Sequence, residues 1–116
     1  MSDLQPKGIP VKLLDGVERS FLFTLACVDE VQDHFDKPVN EVMAMLADER
    51  ESYRTLAFLA MTLANDELKR KGEEKLLTLD EVKWLITVPS SGEVTRVVMK
   101  AYGFGMPEPD EDDDPN

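Results

Sequence analysis

Few residues in this 116-residue chain could carry chemistry, because it holds one cysteine and one histidine. Cys27 and His34 would be the natural nucleophile and base. On a single helix, however, seven residues separate them by ~10 Å along the axis. A working pair needs contact at ~3 Å. Cys27 therefore reads as a small core residue and His34 as a helix-end residue. Asp29, Asp33, His34 and Asp36 could surround a divalent ion, but they read more simply as a solvated helix face. The acidic run Asp110 to Asp114 alternates like a calcium loop, yet it lacks the central glycine and closing glutamate of an EF-hand. No glycine-rich phosphate loop and no Gly-x-Ser-x-Gly elbow occurs. The expectation is a non-enzyme with no catalytic residue, no metal site and no cofactor.

Charge narrows the partners. The net charge is −11, which opposes binding to nucleic acid or to an anionic membrane through bulk electrostatics. Lys69, Arg70, Lys71 and Lys75 form a basic cluster, but Glu67, Glu73 and Glu74 dilute it. Residues 108–116 hold six acids and no base, and the rest then carries thirteen bases against eighteen acids, a net −5. That segment has no apolar residue to offset its ordering entropy, so a disordered acidic tail is expected there. The expected organisation is one globular domain over residues 1–107, with a short flexible N-terminus at 1–7, and the tail at 108–116. One cysteine excludes a disulfide within the chain. The longest mainly apolar run, Leu56 to Ala64, is nine residues, against ~20 for a membrane-spanning helix. Met1 to Gln5 lack the basic start and apolar run of a signal peptide, which points to the cytoplasm.

The elements that would position these residues follow from periodicity. Residues 9–23 alternate around Asp15-Gly16 and predict a β-hairpin. A two-residue loop would oppose Lys12 and Arg19, a destabilising like-charge pair. A three-residue loop, Leu14-Asp15-Gly16 with Gly16 left-handed, opposes Lys12 to Glu18 instead. It places Ile9, Val11, Leu13, Val17 and Phe21 on one face with Arg19, and that face must pack on helices.

Thr24 caps a predicted helix to about Phe35, with Leu25, Val28, Gln32 and Phe35 at helical spacing and Asp29, Glu30 and Asp33 outward. Pro38 interrupts it. Residues 40–71 contain neither Gly nor Pro, and two helices with a break near Asp48 are expected, one long helix being the alternative. The second part, Tyr53-Leu56-Ala57-Ala60-Met61-Leu63-Ala64, is apolar nearly all round its middle and reads as a central buried helix. Lys69 to Lys75 reads as a charged loop around Gly72. Thr78-x-x-Glu81 is a capping box for a short helix ending before Pro89, and Ser90-x-x-Glu93 reads as a second box. It opens a helix with Val94, Val97, Val98 and Ala101 on one stripe and Gly103 suited to its C-cap. The expected fold is α+β and mainly helical: an N-terminal hairpin packed on four or five helices.

The order of these features resembles the tail assembly chaperones of long-tailed bacteriophages. The resemblance runs through VKLLDGVERSFLF, LACVDEVQDHF, NEVMAMLAD, LAFLAMTLA, LTLDEVKWLI and EVTRVVMKAY, and covers roughly residues 8–103. It implies a non-enzymatic protein that binds the tape-measure protein, keeps it soluble and helps recruit tail-tube subunits. Such proteins act in the bacterial host cytoplasm and are absent from the mature virion. In many phages a ribosomal frameshift makes a C-terminally extended form, whose extension engages tube protein. The family has no residue motif for binding, so no residue here inherits a role.

The residues themselves offer a candidate contact surface. Met99 to Met106 carries Tyr, Phe and Met in glycine-rich backbone, and such side chains dominate binding hot spots. Trp84, Val98, Met99, Tyr102 and Phe104 are the expected partner-binding residues, with Trp84 brought close if the last two helices pack as a hairpin, the alternative being that these residues complete the core. Homo-oligomerisation would add avidity along a long client. Two other functions compete: an acidic DNA-mimic inhibitor, disfavoured because six of the eleven net charges lie in the tail, and a small helical protein-binding adaptor.

Overall fold

Local hydrogen bonding defines each element in the computed structural model, which describes residues 8–103. Strands β1 (Ile9–Lys12) and β2 (Glu18–Phe21) pair antiparallel, with Lys12 opposite Glu18 and Ile9 opposite Phe21. The loop between them is the three-residue one: Gly16 has φ of 78° and its N–H donates to the Leu13 carbonyl at 2.9 Å. Val11, Leu13 and Phe21 are buried on the helix-facing side. Val17 is not, being 49% exposed. Its N–H is drawn to Asp15 Oδ1 at 3.1 Å, which makes Val17 part of the turn rather than of the sheet face.

Five α-helices follow among the described residues: α1 (Leu25–Phe35), α2 (Val39–Ala44), α3 (Ser52–Arg70), α4 (Leu79–Leu85) and α5 (Val88–Gly103). The Thr24 hydroxyl caps α1 by accepting from the Cys27 N–H. It also donates to Asp66 Oδ1 at 3.1 Å, and this link to α3 sets which face of α1 turns inward. The buried stripe is Cys27 and Val31, with Phe35 packed beside them, rather than Leu25, Val28, Gln32 and Phe35. Leu25 is 85% exposed. Gln32 is exposed too, and its side-chain oxygen takes the Val39 N–H at the start of α2.

The chain between residues 40 and 71 forms two helical stretches. After α2 a 3-10 turn, Met45–Ala47, gives way to extended backbone at Asp48. The Asp48 carboxylate then accepts from the N–H groups of Arg50 and Glu51, satisfying donors that open α3. Helix α3 is the central element, buried along most of its length and packed against α1, α4, α5 and β2. It runs through Lys69 and Arg70, which were expected in the following loop, and is closed off by Gly72, whose φ of 81° allows the Glu73 N–H to reach the Leu68 carbonyl.

Helix α4 has the full capping box between Thr78 and Glu81. The second box differs from expectation. Helix α5 starts at Val88, and Thr87 and Ser90 cap each other across its first turn. Pro89 is accommodated there because a first-turn residue has no intrahelical use for an N–H. Val94, Val97, Val98 and Ala101 form the buried stripe of α5, and Gly103 is still helical. Phe104, Met106, the N-terminal residues 1–7 and the acidic segment 108–116 lie outside the described residues.

Candidate partner-binding surface

Chemistry-bearing side chains are placed apart or neutralised by structural partners. Cys27 is buried, and desolvation pushes its thiol above the usual range despite the opposing hydrogen bonds of Thr24. His34 lies exposed at the far end of α1, stacked on Phe58 with ring centroids 3.8 Å apart. The two are not brought together. Asp29, Asp33 and Asp36 stay exposed. Among the described residues no three His, Cys, Asp or Glu side chains gather in a way that could hold a metal ion.

The buried carboxylates of α3 are structural. Asp66 accepts from Thr24 and from Arg70 Nε at 2.9 Å, while Glu67 accepts the Ser20 N–H at 3.0 Å and pairs with Lys71 at 3.2 Å. Glu67 thereby covers an outward-facing amide of β2, which would otherwise be an open sheet edge. The basic cluster is paired throughout: Lys69 with Glu30, Arg70 with Asp66, Lys71 with Glu67 and Lys75 with Glu81.

Exposed apolar side chains are the feature with no structural partner. Where α3 and α5 begin and α4 ends, a cavity of about 150 Å³ opens between Tyr53, Leu56, Ala57, Ile86, Val88 and Lys83. Tyr53 is 56% exposed, and Val88 is exposed as well. The starts of α3 and α5 at the cleft are fixed by local devices, the Asp48 carboxylate for α3 and the Thr87–Ser90 pair for α5, while the Thr78 box holds the opposite end of α4. The hairpin tip adds a tie, since the Leu14 N–H donates to the Leu85 carbonyl at 3.0 Å. Helix α4 buries Val82 completely and holds Trp84 77% exposed. Two residues along a helix turn ~200°, so a buried Val82 sends Trp84 outward.

The expected contact residues do not form one patch. Trp84 and Met99 are exposed, but Val98 is fully buried in the stripe that docks α5 on the core. Tyr102 is half-buried and meets Phe23 edge-to-face with ring centroids 5.5 Å apart. Helices α4 and α5 pack on α3 far more than on each other, so Trp84 is not carried to Val98 by a terminal hairpin. Val88 was absent from the expected surface, and Tyr53, expected in the buried central helix, is exposed instead. Tyr53 lies in the first turn of α3, before the helix enters the core, and the location of the break at Asp48 was the available signal for its exposure.

No family model, curated protein or solved structure matches the chain. None of its described helices is long and apolar enough to cross a membrane.

Proposed function

We propose that this protein is a tail assembly chaperone of a long-tailed bacteriophage. It binds and solubilises the tape-measure protein and helps recruit tail-tube subunits in the host cytoplasm, without catalysis, and is absent from the mature virion. The family part of this reading rests on the resemblance across residues 8–103. The observation that carries the binding role is the apolar cleft where α3 and α5 begin and α4 ends, with the exposed Tyr53 and Val88 lining it, together with the exposed Trp84 elsewhere on α4.

Solvent-exposed aromatic and aliphatic side chains beside a cleft suit the capture of apolar helix, and a net charge of −11 helps to hold a complex in solution. The test is co-expression with the product of the very long open reading frame expected downstream. The soluble fraction of that product should rise well above the level given by an unrelated acidic protein. No rise would refute the chaperone reading. A slippery heptamer near the stop codon is the corresponding expectation for the extended form.

A further inference from the structure

We propose, resting on the chaperone reading, that the cleft between α3, α4 and α5 is the client's anchor site, and that it takes one apolar side chain of a client helix with a carboxylate about one turn away. The size of the cleft selects a side chain rather than a helix. At about 150 Å³ it has the volume of an apolar protein cavity that holds one benzene ring, which is the scale of a leucine or phenylalanine side chain. Its walls supply the matching surface in Leu56, Ala57 and Ile86, with the exposed Tyr53 and Val88 at its opening. A client helix would lie across these helix ends and insert one residue, as amphipathic helices do in apolar grooves.

The carboxylate follows from Lys83. It is the one charged side chain lining the cleft, and it forms no ion pair among the described residues. Lys12, Lys37, Arg50 and Lys100 also form no ion pair among the described residues, but of these bases only Lys83 lines the cleft, so its charge is the one a client there would meet. An ammonium on a flexible stem accepts any carboxylate within reach, so the match fixes the sign of the neighbouring charge and not a single geometry. The overall negative charge does not cancel this preference, because screening confines it to ~8 Å at physiological salt while the Lys83 contact is local.

The test uses the full chain and two synthetic amphipathic helices that share one leucine anchor and differ in carrying Glu or Lys one turn from it. The Glu peptide should bind ~2–5-fold more tightly, the range expected of an exposed ion pair. Lys83→Glu should reverse the order. Replacing the leucine anchor by Ser should weaken binding at least ~10-fold. Equal binding of the two peptides, an unchanged order in Lys83→Glu, or no saturable binding of either peptide overturns the proposal. Val88→Asp, at an exposed position, should keep the unfolding midpoint and lose client solubilisation. If wild-type protein solubilises the client and Val88→Asp does so equally, the chaperone reading stands and the anchor site falls. If wild-type protein does not solubilise it, the chaperone reading itself falls. If Val88→Asp instead dissociates a dimer and leaves client solubility unchanged, the cleft belongs to a second copy and the proposal is overturned.

Discussion

Asn65 grips both polar groups of the Leu77 backbone. Its Nδ2 donates to the Leu77 carbonyl at 2.9 Å, and its Oδ1 accepts the Leu77 N–H at 2.8 Å. A side chain of α3 thus imitates a strand pairing and pins the returning loop one residue before the Thr78 cap. The position of α4, and so of Lys83 and Trp84, depends on this clamp.

Asn65→Ala should therefore cost ~2–4 kcal/mol, since it strands a donor and an acceptor in half-buried surroundings. Asn65→Asp should also destabilise, because it sets a carboxylate oxygen against the Leu77 carbonyl. Urea unfolding measures both. A loss under ~1 kcal/mol for Asn65→Ala would mean that water replaces the side chain readily.

The two faces of the hairpin should respond unequally. Phe21 is fully buried, and Phe21→Ala should cost ~3–5 kcal/mol. Val17 belongs to the turn, and Val17→Ala should change stability by no more than ~0.5 kcal/mol. Similar losses at both positions would contradict the turn assignment of Val17.

Asp15 and Arg19 give the hairpin a pH dependence. Both carboxylate oxygens meet the guanidinium, at 3.0 and 2.8 Å, and this hydrogen bonding holds the Asp15 pKa below its ordinary value. A carboxylate with a lowered folded pKa contributes stability above its unfolded pKa and loses it as pH falls through the folded value. Asp15→Asn should thus cost at most ~1 kcal/mol at neutral pH, as expected of an exposed pair. The difference from wild type should close in strong acid. A gap between the two denaturation curves that persists at the lowest pH would rule out this origin.

Local chemistry was legible in the sequence where one residue and its near neighbours decide the outcome. The Leu14-Asp15-Gly16 loop, the Thr24 cap and the Thr78–Glu81 box depend on contacts within a few residues, and each forms as read. The inward face of α1 was not legible, because Thr24 also reaches Asp66 far along the chain and rotates Cys27 and Val31 inward. Ser90 illustrates a nearer ambiguity. Both Thr87 and Ser90 are good caps, and the choice falls to Thr87 because Pro89 fits a first turn. The contact surface was least legible. Apolar residues in sequence look alike whether they complete a core or leave it, and only the packing of α4 and α5 on α3 separates Trp84 from Val98.

Burial also predicts the behaviour of the single cysteine. With Cys27 at 1% exposure and its thiol pKa raised by desolvation, native protein should resist alkylation at mildly alkaline pH. Labelling should appear across the urea transition and not before it. Fast native-state modification would show that α1 opens locally from α3.

Neighbouring residues on α5 separate a core role from a binding role. Val98 is fully buried and Met99 is half-exposed, although they adjoin in sequence. Val98→Ala removes packed methyl carbons and should cost ~1.5–3 kcal/mol. Met99→Ser and Trp84→Ser should each stay within ~0.5 kcal/mol of wild type, because both side chains are at least half exposed. Client solubilisation then distinguishes the roles. Val98→Ala should impair it only in proportion to the protein unfolded at the assay temperature, so a lower temperature should restore it. Trp84→Ser should impair it at every temperature if the exposed indole belongs to the contact surface. Should Trp84→Ser match wild type while Val98→Ala fails even when fully folded, the client would contact the buried stripe, and α5 would have to leave the core to bind.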